Sequence, residues 1–170
     1  ATCPSCFPAQ RFKRGQERWR RAGIAGEADF VEPAPAPDED VLRVHTAAWV
    51  QKLKADTLSA SERMKLEIPV SSATVRAFWL AAGGSILAGK WAFRDGFAAN
   101  LTGGFHHAYP GHGEGICMFP VVVIAISSLQ SDSADPTAMV LAPLVPPGNR
   151  PAALSPTGAL MATVATDHGT

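Results

Sequence analysis

The chain is short of cysteine, of net charge and of long apolar runs, and each shortage removes a class of protein. Its 170 residues include three cysteines, Cys3, Cys6 and Cys117, an odd and low number that argues against a disulfide framework. Cys3 and Cys6 have C-x-x-C spacing, but no second pair follows and no strand precedes them. They read as a terminal coincidence rather than half a zinc site or a redox pair. Fifteen Lys and Arg balance fifteen Asp and Glu, so nothing supports a polyanion-binding surface and no direct nucleic-acid binding is expected. The basic cluster from Arg11 to Arg21 is local and reads as the solvated face of a helix. No apolar run is long enough to span a bilayer and no signal-peptide pattern opens the chain. No membrane partner is expected, and a cytoplasmic location is the default. The first residue is Ala1, not methionine.

Hydrophobic residues make up 46% of the chain, enough for a buried core and too many for global disorder. The spacing of Phe12 and Trp19 predicts a helix over 8–23, stopped at Gly23. A short strand is expected at 28–33 and a proline-rich turn at 34–40, with Asp38 as N-cap of the helix that follows. Further helical segments fall at 46–59, 59–67 and, longest, 71–95. The small residues Ala81, Ala82, Gly83, Gly84, Ala88 and Gly89 in that last helix lower its propensity and imply close approach of another backbone. A short strand is expected at 97–102. The β-branched run at 119–130 suits strand or helix, and 138–145 reads as a buried strand. Strands alternating with helices predict an α/β domain with a mainly parallel sheet flanked by helices. The expected organisation is a flexible start at 1–7, a domain over 8–145, and a tail over 146–170 rich in Pro, Ala, Gly, Ser and Thr that lacks fixed structure.

The densest chemistry lies in TGGFHHAYPGHGEGICMF, residues 102–119, with five glycines and three of the five histidines. A loop after the strand at 97–102 sits where parallel α/β sheets bind ligands. His106 and His107 are adjacent, so in extended backbone one would turn towards a reacting group and the other inward to a partner. That suits an acid/base histidine held by a neighbour. The plainer alternative is that such histidines are structural or merely exposed. A three-histidine metal site with His112 is the weaker option, since adjacent histidines rarely share one ion and only Glu114 stands nearby.

NLTGGFHHAYPGHGEGICMFPVVVIAI resembles the central motif of the histone deacetylase superfamily, roughly G-G-x-H-H-A, a spacer and G-x-G-F-C. Upstream, DFVEPAPAPDEDVLRVHTAAWVQKL resembles the family's P-A-x-x-E-x-L-x-x-V-H-T segment, and LAAGGSILAGKWAFRDGFAANLT its next helix and strand. The version is similar to class IV-like and bacterial deacetylases. The resemblance implies a partial arginase/deacetylase-type α/β fold. It implies a zinc-dependent hydrolase acting on an acylated lysine peptide or a small acylated amine. It makes His107 the general base and His106 its electrostatic companion. Gly115 matches the glycine whose carbonyl receives the substrate amide, Ile116 the tunnel wall, and Cys117 a small buried pocket residue.

The family's zinc ligands come from a D-L-D-V-H-x-G-N-G pattern and a later aspartate. The aligned stretch here is APLVPPGNR, 142–150. Gly148 and Asn149 agree, but Ala142 and Leu144 stand at the aspartate positions and Pro146 at the histidine position. None carries a donor for zinc, so no metal ligand is assigned, and zinc, though the family's cofactor, is not expected on this chain. The third ligand and the family's oxyanion-stabilising tyrosine have no counterpart before Thr170. Asp167 and His168 are the substitutes to consider. The expected function is therefore a deacetylase-family chain that is incomplete and inactive. The alternative is a non-catalytic acyl-lysine-binding or relic module without metal.

Overall fold

A computed structural model describes residues 10–132 and 160–162. Helix α1 runs Gln10–Arg21 and ends before Gly23, whose φ of +66° turns the chain. Strand β1 is Phe30–Val31. Three short helices follow, α2 Asp38–Leu42, α3 Ala47–Lys54 and α4 Ala60–Leu66. The long helix α5, Ser72–Asp95, leads into strand β2, Ala98–Asn100. Helix α6, Val121–Asp132, and strand β3, Leu160–Ala162, complete the described elements.

The sheet is parallel, in the order β1-β3-β2, with Phe30 opposite Met161 and Asn100 opposite Ala162. The parallel sheet agrees with the alternation of strands and helices. Leu160–Ala162 corrects the expectation of an unstructured tail at those three residues: they form a strand that pairs in parallel with both β1 and β2, which are not neighbours to each other. The remainder of 133–170, including the strand expected at 138–145, lies outside the described residues, as does the C-x-x-C pair.

Local chemistry explains most helix ends. Ser59 caps α4 by accepting from the Glu62 N–H, and the Glu62 carboxylate accepts from the Ser59 N–H at 2.8 Å, a reciprocal capping box. Lys52 of α3 bridges to the same carboxylate at 2.7 Å. Together these bonds, the Lys52 one foremost, push the Glu62 pKa down to about 2. A depressed carboxylate stabilises the fold above its unfolded pKa of about 4.3 and loses that contribution as pH falls through the folded value. Glu62→Gln should therefore be less stable than the parent at pH 6, with the gap closing between about pH 4.3 and 2. Ser59→Ala should cost about 1 kcal/mol. Urea unfolding at several pH values checks both.

Asp38 is not the N-cap expected of it. Pro37 precedes the helix, and Asp38 is its first residue. Proline sets its own φ at −57° for the turn, leaving the Asp38 carboxylate free to accept from Trp79 Nε1 at 3.0 Å and to pair with Lys54. Helix α6 settles the strand-or-helix ambiguity at 119–130. Its buried residues are Val121, Ile124, Ala125, Ser128 and Leu129, the i, i+3, i+4, i+7, i+8 stripe of a helix. Packing of that stripe overrides the β-branched propensity of the sequence.

The small residues of α5 do permit close approach. A Cβ on Gly83 would lie 2.0 Å from the Ala34 carbonyl oxygen, because the 34–36 segment crosses α5 there and Ala36 N–H bonds to the Trp79 carbonyl at 2.9 Å. A Cβ on Gly89 would meet the Leu129 side chain of α6 at 2.3 Å. Asn100 of β2 lies over Gly84, bonding Ala81 O and Ser85 Oγ through its amide and accepting from Thr102 N–H and Oγ1–H. The core fills the space between α2, α3, α5 and α6 around Phe119. That ring lies 4.6 Å from Trp79 and 6.2 Å from Phe78. Among the described residues, no helix is long and apolar enough to cross a membrane.

Candidate functional site

The loop after β2 carries every residue expected to act. Thr102, bonded to Asn100 Oδ1, is buried and starts it. Phe105 is buried with its ring 4.7 Å from Phe78, pinning the chain just before the histidines. Two tight turns follow. Tyr109-Pro110-Gly111-His112 closes with paired backbone bonds, and its Tyr109 and His112 rings stack at 4.8 Å. Glu114-Gly115-Ile116-Cys117 closes likewise, with Gly115 at φ +58° supplying a conformation that side chains resist. Gly113 packs the second turn onto α4: a Cβ there would meet Leu66 at 2.5 Å and the Cys117 carbonyl at 2.7 Å.

His106 and His107 are both exposed, with ring centroids 4.1 Å apart and planes tilted by 42°. This corrects the expectation that one turns outward and the other inward. The local backbone is not an extended strand: the Gly104 carbonyl lies 2.9 Å from His106 Nδ1 and folds that ring back beside its neighbour. The two imidazoles form one paired surface. Gly115 sits in the second turn, Ile116 is half-buried against the core, and Cys117 is buried as a small packing residue. No hydrogen bond or ring contact among the described residues joins these three to the histidine pair.

His45 was overlooked as a candidate in the sequence. Its only signal there is its place in the V-H-T segment between two helices. In the structure it is 3% exposed, its Nδ1 lies 3.2 Å from the Pro110 carbonyl, and its ring meets Phe119 at 5.1 Å. Burial pushes its pKa down, against the opposing pull of the Pro110 and Tyr109 carbonyls. A separate cavity of about 680 Å³ opens between α3 and the start of α5, walled by Leu53, Val75 and Trp79 with Asp38, Lys54 and Arg76 also lining it. None of its lining residues belongs to 102–118.

A model of the histone deacetylase domain matches residues 5–140. The chain belongs to the histone deacetylase family. Over 125 residues it is 30% identical to an uncharacterized protein of Picosynechococcus sp., covering 73% of this chain and 41% of that one. It is 32% identical over 134 residues to the acetoin utilization protein AcuC of Bacillus subtilis, covering 73% of this chain and 35% of the relative. An HDAC homolog solved in complex with SAHA superposes with a TM-score of 0.57 at 25% identity, over 69% of this chain and 34% of that one. The fold is thus the deacetylase family's α/β architecture in part, and the chain spans well under half the length of these relatives.

The family is zinc-dependent, which sets a test for the donors present. Among the described residues no three of His, Cys, Asp and Glu come together as a metal ion requires. Beside the paired imidazoles the nearest acidic group on the loop is Glu114, whose carboxylate lies 3.8 Å from His112. The stretch 142–150, which the resemblance sets at the family's ligand positions, lies outside the described residues and beyond the 5–140 match, and its alanine, leucine and proline have no side-chain donors in any conformation. The described residues do not fit the family's ion.

Proposed function

We propose that this 170-residue chain carries the acyl-lysine-facing half of a deacetylase site and turns over no substrate. The observation that carries the reading is the exposed imidazole pair, 4.1 Å apart on a doubly anchored loop; Ala142, Leu144 and Pro146, which the resemblance sets at the ligand positions, supply no donor for a metal. In this reading His107 is the general base by position and His106 its electrostatic companion. The Gly115 carbonyl receives the substrate amide, with Ile116 and Cys117 behind it. The ligand is an acylated lysine peptide or a small acylated amine; a nucleic acid or a membrane has no part in it. That an HDAC homolog of the same fold was solved in complex with SAHA, an acyl-lysine mimic, supports an acylated ligand. An imidazole facing bulk water meets an acid of pKa near 15.7, which it does not deprotonate productively. Recognition can persist where chemistry does not.

Fluorescence anisotropy with a labelled acetyl-lysine peptide and its unacetylated twin tests this. The acetylated peptide should bind about tenfold tighter, a difference of about 1.4 kcal/mol. His107→Ala should remove the preference, and zinc should not alter it. Equal affinity for the two peptides contradicts the reading.

A further inference from the structure

The exposed histidine pair is held between two fixed points. Upstream, Phe105 is buried on Phe78. Downstream, the Pro110 carbonyl accepts from the Thr46 N–H at 2.8 Å and lies 3.2 Å from His45 Nδ1. A carbonyl can only accept, so His45 carries its proton on Nδ1 and leaves Nε2 as a bare lone pair. Nε2 is buried and has no hydrogen-bond partner. Adding a proton there would bury a charge and, at Nε2, a donor without a partner. We propose that His45 is the positioning residue of the tandem-histidine loop, clamping Pro110 through Nδ1–H only while Nε2 is unprotonated.

The ionisable side chains around it do not relieve that constraint. On its own side, Asp40 of α2 is buried and paired with Arg43 at 3.3 Å. On the loop, Tyr109 stacks on His112, and His112 faces Glu114. None of them bonds to the His45 ring. Phe119, whose ring lies 5.1 Å from that of His45, is apolar. The depressed pKa of His45 agrees with this geometry. For a histidine lowered in the folded state, the clamped form is fully favoured above the unfolded value of about 6.5 and weakens as pH falls towards the folded one.

The proposal takes its interest from the reading of the loop as the substrate-facing half of the site. Its test nevertheless measures loop opening rather than binding or turnover, so either can fail alone. The experiment is amide hydrogen exchange on the full chain, corrected for intrinsic pH dependence. It follows the Thr46, Tyr109 and His112 amides, alongside NMR titration of the histidine rings. In the parent, opening should rise by up to tenfold per pH unit below about 6.5 and level off where the folded His45 ring itself titrates. His45→Asn keeps a donor near the Nδ1 position and cannot titrate, so it should hold the loop with no pH dependence. His45→Gln extends its amide towards the Nε2 position instead and should leave the loop open at every pH. Equal protection in the Asn and Gln variants, or parent exchange that ignores the His45 ring, overturns the proposal. If neither variant folds, the parent titration decides alone by the same criterion.

Discussion

Gly83→Ala should strongly destabilise the protein, although the same change in an ordinary helix stabilises. Alanine is favoured over glycine in a helix interior by about 1 kcal/mol. Here the new methyl would sit 2.0 Å from the Ala34 carbonyl oxygen and 2.9 Å from the Ala36 nitrogen. Both contacts are backbone, so no side chain can rotate away. The 34–36 segment must lift from α5, which breaks the bond from Ala36 N–H to the Trp79 carbonyl. Overpacking of this kind costs about 1–3 kcal/mol, and a broken buried backbone bond adds about 1–3 more. Gly15→Ala in α1 is the control, since a Cβ there meets nothing within 4 Å. Urea denaturation should show the two changes moving stability in opposite directions. A more stable Gly83→Ala protein would mean that the 34–36 segment does not cross α5 as described.

Phe119→Ala should cost about 3–5 kcal/mol, a large part of the stability of any domain of this size. The ring is fully buried and gathers Trp79, Phe78 and His45 around it. Its removal leaves a cavity that three rigid rings cannot collapse into. It also exposes the apolar wall behind His45, so the histidine loop should loosen with the core. Phe119→Leu retains most of the volume and should cost less than half as much. Paired unfolding curves check the ratio, and a loss under about 1 kcal/mol for the alanine variant would show that the aromatic cluster is not the centre of the core.

Legibility in the sequence followed the range of the interaction. The capping box at Ser59 and Glu62 and the stop at Gly23 are local, and they could be read from residue types alone. The glycines of α5 announced a close approach but not its partners. Those are the 34–36 segment, Asn100 and Leu129, distant from them in sequence. Asp38 shows the limit of cap rules: Pro37 holds the cap position without a side-chain hydrogen bond, and a carboxylate that could serve a helix N-terminus serves Trp79 and Lys54 instead. At 119–130 the buried stripe was helical in spacing while the residue types favoured strands, and packing decided. The histidine loop was found by its composition, but its geometry was not. Side-chain alternation assumes an extended backbone, and the Gly104 carbonyl folds His106 against His107. The V-H-T segment marks His45 in the sequence but not its partner Pro110, 65 positions away.

In the proposed reading, the substrate-facing half of the site persists on this chain without the groups that would make it catalytic. Acetate release from an acetylated lysine peptide tests it most directly, measured for the chain, the chain with added zinc and the His107→Ala variant. Background release is expected in all three. Turnover that requires both zinc and His107 would contradict it and would place metal donors outside the described residues, with Asp167 and His168 the first to test.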